Sequence, residues 1–188
     1  MPLRVIAGTA RGRELRQPPG ATRPTAARLR EALFSILDAA ALLRGPALDL
    51  YAGSGALGIE ALSRGVEQCT FVESDPRACK VIAANLDRLD LAGGEVVRGR
   101  VGRWRPPPDQ RYALVLADPP YDDAASWRAI EASIAEALTL EAAIAVEHAA
   151  RSAPPDQLAG RRLWRDRSQG DGAVAIYRPA FIEREDSA

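Results

Sequence analysis

Apolar positions along this chain switch between the period of a strand and the period of a helix. Leu3–Ala7 and Arg13–Gln17 are short strand-like runs separated by Gly8 and Gly12, which predicts a small hairpin. Pro18-Pro19-Gly20 and Pro24 then interrupt regular structure. Thr25 reads as a helix N-cap, and Leu29, Leu33, Phe34, Ile36 and Leu37 recur at helical spacing up to about Ala41. Gly45-Pro46 marks a break, after which strand and helix alternate. Ala47–Tyr51 reads as a strand, Ala56–Arg64 as a helix closed by Gly65, and Cys69–Glu73 as a second strand. Asp75-Pro76 supplies a capping acid and a proline for the first helical position of a helix running to about Leu89. Glu95–Val97 and Ala113–Ala117 come next as strands, residues 124–138 as a helix and Ala142–Glu147 as a fifth strand. In the tail, Arg162–Arg167 and Ala173–Arg178 flank Ser168-Gln169-Gly170-Asp171-Gly172, the pattern of a hairpin.

Alternating β and α units predict a parallel sheet with helices on both faces, extended at one edge by antiparallel strands. The expected domains are an N-terminal extension of hairpin and helix at 1–44, an α/β domain at 45–182 and a tail at 183–188. A length of 188 residues with 47% hydrophobic content suits one compact unit with a real core. No apolar run reaches the roughly 18 residues of a membrane span, and no long apolar stretch follows Met1-Pro2-Leu3-Arg4. The expectation is a soluble, cytoplasmic protein without a membrane partner. Cys69 and Cys79 form neither a disulfide framework nor a metal cluster and read as packing residues.

Zero net charge hides a segregation. Of 25 basic residues only Lys80 is lysine, a preference that GC-rich coding explains. Coding does not explain placement: residues 1–30 carry Arg4, Arg11, Arg13, Arg16, Arg23, Arg28 and Arg30 against a single acid, Glu14, whereas Arg128 is the lone base among seven acids in 118–147. This distribution implies an anionic partner for the N-terminal part.

Two motifs carry chemistry. Asp49-Leu50-Tyr51-Ala52-Gly53-Ser54-Gly55-Ala56-Leu57-Gly58 sits where the first sheet strand turns into a helix, where backbone N–H groups face a ligand. Gly53, Gly55 and Gly58 have the spacing of a dinucleotide-binding turn, and Glu73 ends the next strand where an acid would accept ribose hydroxyls. A tight structural turn is the plain alternative. Asp49 sits four residues before the first glycine. A carboxylate there would repel a pyrophosphate and attract a sulfonium with an α-ammonium group, which favours S-adenosylmethionine over a nicotinamide cofactor.

Asp118-Pro119-Pro120-Tyr121 follows the fourth strand, on the same edge of the sheet. Two prolines lock φ and fix the direction of a backbone carbonyl. That carbonyl and the Asp118 carboxylate can accept hydrogen bonds from an exocyclic amine, and Tyr121 can stack on an extruded base. Acceptors on the amine hydrogens stabilise positive charge growing on nitrogen during methyl transfer. No metal is required. His148 reads as a satisfied strand-end residue, and Trp104, Trp127 and Trp164 as packing or loop anchors.

On these motifs the chain resembles the class I methyltransferases acting on exocyclic amines, and among them the bacterial 16S ribosomal RNA guanine-N2-methyltransferases of the RsmD type. The likeness runs from Arg4 to about Arg178 and includes Arg4–Gly8, Arg11-Gly12-Arg13, Arg23-Pro24-Thr25, Arg28–Phe34, the glycine turn continuing to Gly65, Phe71-Val72-Glu73 and Asp118–Tyr121. It implies a seven-stranded Rossmann-like methyltransferase sheet and S-adenosylmethionine bound by Asp49, Gly53, Gly55, Gly58 and Glu73. It implies a guanine addressed by Asp118, Pro119, Pro120 and Tyr121. The RNA partner, 16S rRNA or a small-subunit particle, would meet Arg4, Arg11, Arg13, Arg23, Arg28 and Arg30, of which about half are expected to touch it. The protein is expected to act as a monomer. Many such proteins carry an acid after the third strand, where this chain has Val97-Arg98-Gly99-Arg100-Val101, so the adenine contact is left unassigned, with backbone near Arg100 as the candidate. An adenine-N6 or other amine methyltransferase, a non-catalytic RNA-binding relative and, more remotely, a nicotinamide enzyme are the competing readings.

Overall fold

The computed structural model describes residues 2–18, 24–120 and 125–179. Arg23, Tyr121 and the 183–188 tail lie outside them. The elements run in the order α1 (Pro24–Ala39), β1 (Ala47–Leu50), α2 (Ala56–Ser63), β2 (Cys69–Glu73), α3 (Pro76–Leu89), β3 (Gly94–Arg98), β4 (Tyr112–Ala117), α4 (Ser126–Ile134), β5 (Leu138–Ala149), β6 (Gln157–Leu158), β7 (Arg161–Gln169) and β8 (Gly172–Arg178). The eight strands form one sheet in the order β3-β2-β1-β4-β5-β8-β7-β6. β1 pairs in parallel with both β2 and β4, whereas β5–β8, β8–β7 and β7–β6 are antiparallel. The seven strands expected for the sheet are all present, and the two-residue β6 is an eighth, too short to leave a periodic signal; the N-terminal strand-like runs form only an isolated antiparallel bridge between Arg4 and Glu14.

After β1 the chain builds outward through β2 and β3, then crosses back to lay β4 on the other side of β1. The C-terminal ends of β1 and β4 therefore flank the switch point, where the connections depart in opposite directions and leave a crevice. Apolar residues on the two faces form two clusters. One joins Leu29, Leu33, Phe34 and Leu37 of α1 with α2, α3 and the N-terminal hairpin; the other joins Ile130 and Ile134 of α4 with Val101, Tyr112 and Tyr177.

Several local signals hold. The Asp75 side chain caps α3 by accepting from the Arg77 N–H at 2.8 Å, with Pro76 in the first turn. Others shift: α1 starts at Pro24, which places Thr25 inside the helix instead of at its cap. β5 extends to twelve residues because β4 and β8 supply ladder partners on both its sides.

The hairpin around Arg4 and Glu14 does not stand apart. Val5, Ala10 and Leu15 are buried in the same cluster as the sheet. The buried Glu60 carboxylate on α2 accepts from Ile6 N–H at 2.8 Å and Ala7 N–H at 3.0 Å. Ser63 Oγ donates to Ala7 O at 2.6 Å and accepts from Ala10 N–H at 3.0 Å. Between these contacts Gly8 has φ +82°, and a Cβ there would lie 1.7 Å from Ser63 O. Gly8→Ala combines left-handed strain with a backbone clash, so it is expected to cost about 2–4 kcal/mol, read as a lower midpoint in thermal unfolding.

Candidate active site at the switch point

The glycine turn opens the site. Tyr51, at φ +58°, Gly53, at +55°, and Gly55, at +78°, make the chain reverse sharply out of β1 and into α2. A non-glycine residue in the left-handed region at this point is local strain of about 1–2 kcal/mol held by its surroundings. The three glycines do different work. At Gly58 a Cβ would come within 2.3 Å of Phe71 Cε1, so its bareness lets α2 lie on β2. At Gly55 it would meet Ile59 and Ile82 at 3.2 Å, whereas at Gly53 the nearest atom is Tyr51 O at 3.9 Å. Gly53 is the glycine with open space for a ligand.

Glu73, at the end of β2, reaches across to this turn. Its Oε2 accepts from Gly53 N–H at 2.8 Å, and its Oε1 accepts from Ser74 N–H at 2.6 Å and Asp75 N–H at 2.8 Å. A carboxylate oxygen has two lone pairs, so Oε2 keeps capacity for a hydroxyl while it holds the turn. Glu73 is thus a brace for the loop, a role that spacing alone does not reveal.

Asp49 is 1% exposed, and its Oδ2 accepts from Gly58 N–H at 2.8 Å. Direct contact with a ligand ammonium is the expectation from sequence; in the structure the carboxylate is buried and ties β1 to the first turn of α2. Burial pushes its pKa well above the usual carboxylate range, the Gly58 N–H opposes this, and the nearby Asp118 and Glu73 carboxylates push it further up. The Asp118 and Glu73 carboxylates thus both lie near enough to Asp49 for their charges to act on it. On β4, Leu116 is in register with Asp49 and Ala117 with Leu50. Asp118 comes next as an exposed residue, Pro119 is buried and Pro120 is exposed. Tyr121 lies outside the described residues.

Residues that the sequence does not single out join the hairpin to the turn. Asn85 of α3 is fully buried; its Oδ1 accepts from Arg16 N–H at 2.9 Å, while its Nδ2 donates to Arg16 O at 3.0 Å and Ser54 O at 3.1 Å. The signal is present in the pattern, because Asn85 sits among Ile82, Leu86 and Leu89 on the apolar stripe of α3. His148 places both ring nitrogens against acceptors, Ala149 O at 3.1 Å and Asp166 Oδ1 at 3.0 Å. A groove of about 240 Å³ lined by Pro46, Cys69, Gly93 and Gln110 opens at the opposite end of the strands and is no part of this site.

The expected RNA-facing arginines separate into groups. Arg30 is 4% exposed and donates to Arg4 O at 2.7 Å, so the expectation that it meets RNA is corrected. Burial lowers its pKa, and the charges of Glu60 and Glu147 act against that shift. Arg4 is held by Gly12 O and Glu14, and Arg13 by Arg88 O at 2.7 Å. Arg11 and Arg28 are exposed and, among the described residues, without an ion-pair partner. Near Arg100 the backbone turns tightly, with Arg103 and Trp104 N–H groups donating to Arg100 O.

The Asp49 environment has a thermodynamic signature. An acid whose native pKa is raised binds more protons folded than unfolded, so stability falls as pH rises from about 4 upward. Asp49→Asn keeps an acceptor for Gly58 N–H and removes that titration. Its thermal midpoint is expected to decline less than that of the unaltered chain between pH 4 and 8, measured by calorimetry.

Residues 3–178 match the model of the family described as Conserved hypothetical protein 95. The chain is 35% identical over 183 residues to "Putative rRNA methyltransferase YlbH" of Bacillus subtilis, covering 94% of this chain and 98% of that protein. It is 34% identical over 178 residues to "Ribosomal RNA small subunit methyltransferase D" of Escherichia coli, covering 93% and 89%. A solved structure titled "Putative methyltransferase yhhF from Escherichia coli" superposes with a TM-score of 0.79 at 33% identity, over 96% of this chain and 99% of that one. With the methyltransferase sheet, the glycine turn and the β4 motif at one switch point, this chain belongs to the Conserved hypothetical protein 95 family, the RsmD type of methyltransferase.

Proposed function

We propose that this protein is an rRNA methyltransferase that moves a methyl group from S-adenosylmethionine to the exocyclic N2 amine of a guanine in 16S rRNA of the small subunit. The observation that carries the proposal is the meeting of two motifs at the β1/β4 crevice: a glycine turn braced by Glu73, and Asp118-Pro119-Pro120 immediately after β4. The relatives named as rRNA methyltransferases support the substrate class.

The residues present fit the donor. Gly53 leaves room at the turn, Glu73 keeps acceptor capacity for a ribose hydroxyl, and the Asp49, Glu73 and Asp118 carboxylates make the crevice favourable to a cation. S-adenosylmethionine supplies an electrophilic methyl on a cationic sulfur. Asp118 and the Pro119 carbonyl are assigned the acceptor side: each takes a hydrogen bond from the guanine amine, turning its nitrogen toward the methyl group and stabilising the charge that grows on it. The N–C bond forms as the S–C bond breaks, the sulfur keeps the electron pair, and the surplus proton leaves to water. Orientation supplies much of the remaining acceleration, and Tyr121 is assigned to stack on the base. Arg11 and Arg28 supply phosphate contacts, which place RNA over the same side of the sheet as the hairpin.

Radiolabelled donor incubated with undermethylated small subunits, naked 16S RNA, tRNA and DNA tests this. Label is expected in rRNA, as N2-methylguanosine on nucleoside analysis; N6-methyladenosine would reassign the acceptor. Asp118→Ala is expected to reduce the rate at least about 100-fold with donor affinity near normal by calorimetry. Asp49→Asn is expected to weaken donor binding. Arg11→Glu/Arg28→Glu is expected to raise the dissociation constant for RNA and flatten its salt dependence, with donor affinity spared.

A further inference from the structure

β7 is the most charged strand of the sheet, and its charges are arranged. Beyond Leu163 its outer side has no ladder partner among the described residues, because β6 pairs only with Arg161 and Arg162. Arg165 stands opposite Ile176 and Arg167 opposite Val174 on β8. Paired residues of an antiparallel ladder project to one face, and Val174 and Ile176 belong to the cluster shared with α1 and the hairpin. Arg165 and Arg167 therefore project to the side of the sheet that carries Arg11 and Arg28. Asp166 faces the other way, opposite Ala175, and is engaged by His148.

Trp164 sits at the register shift between Leu163 and Arg165 and is 36% exposed. The sequence pattern reads it as a packing or loop anchor, and the structure gives it a further part. The Cζ atoms of Arg165 and Arg178 lie 4.4 and 4.7 Å from its ring centroid. A guanidinium stacked on an aromatic ring keeps its N–H edge outward and has already lost much of its rotamer freedom, so less is lost when it grips an anion. Arg162, Arg165 and Arg167 are exposed and form no ion pair among the described residues. Charges on an unpaired edge also discourage sheet-to-sheet pairing. That need is met by either sign and does not call for an aromatic ring holding two guanidiniums.

We infer that β7 is an RNA-docking strand: the Arg165–Trp164–Arg178 stack, with Arg162 and Arg167, binds the phosphate backbone of the substrate RNA outside the methylation crevice. Side chains two apart on a strand are about 6.6 Å apart, so Arg165 and Arg167 address successive positions along a polyanion. β7 runs antiparallel to β8, and Arg167 lies level with Val174, which pairs with Glu147 near the site end of β5. The strand thus leads toward the edge of the sheet that holds the crevice. The inference rests on the proposed rRNA substrate and extends its footprint beyond the N-terminal arginines.

Arg165→Ala/Arg167→Ala tests it, with 16S RNA and undermethylated small subunits as probes. Two lost phosphate contacts are expected to reduce RNA affinity roughly tenfold near 0.15 M salt and to lower the slope of log K against log salt by about 1.5. KM for RNA should rise with kcat, donor affinity and thermal midpoint unchanged. Trp164→Leu, which keeps the charges and releases the stack, is expected to lose affinity about threefold with the salt slope preserved. An unchanged slope in the double variant overturns the docking strand, as does a loss confined to kcat or a fall in its thermal midpoint that would assign these residues to edge stability. If the unaltered chain neither binds nor methylates rRNA, the functional reading itself fails; if it does both and the variants match it, only this inference fails.

Discussion

A carboxylate with almost no exposure to water, at the end of a parallel strand, is the constraint around which this molecule is arranged. Asp49 is held by the Gly58 amide, and Gly58 can donate there because its missing side chain lets α2 lie against Phe71. A buried acid with one N–H partner and two acidic neighbours is unfavourable in the ionised form, which is why its pKa rises. The cost falls where the proposed chemistry places a cation, so the strain of the free protein and the affinity for a sulfonium have the same origin. The left-handed Tyr51 adds backbone strain at the same turn.

The N-terminal segment is part of this arrangement. Glu60 accepts from the half-buried Ile6 and Ala7 amides and Ser63 from the buried Ala10 amide, and Asn85 holds Arg16 and Ser54 from one side chain. Unsatisfied, each such group would cost about 1–3 kcal/mol, so the hairpin and the glycine turn are expected to keep a fixed relation. In the proposed function, RNA gripped by Arg11 would be positioned against the turn through these contacts. Arg30, between Glu60 and Glu147, belongs to this buried framework.

Charge is divided by face and by edge. The crevice is acidic, from Asp49, Glu73 and Asp118, while Arg11, Arg28 and the β7 arginines stand on one side of the sheet. A polyanion is repelled by the first and attracted by the second. In the proposed reaction this lets the backbone settle on the arginines while a neutral base enters the acidic crevice.

The order of strands and helices, the Asp75-Pro76 helix start, and the placement of the glycine turn and Asp118-Pro119-Pro120 after parallel strands were legible from residues alone. They depend on local periodicity and backbone chemistry, which adjacent residues contain. Tertiary structure decided the rest. Arg30 lies beside Leu33 and Phe34 on the buried arc of α1, and Arg4 O, Glu60 and Glu147, all distant in the chain, offset the burial of its charge. Asp49 became a strut and Glu73 a brace because the amides they bind belong to other elements. Trp164 became the support for two guanidiniums because Arg178 comes from the neighbouring strand. Which arginines remain outside and which acids meet is set by long-range pairing, where solvation and hydrogen bonding are settled between segments that sequence proximity does not relate.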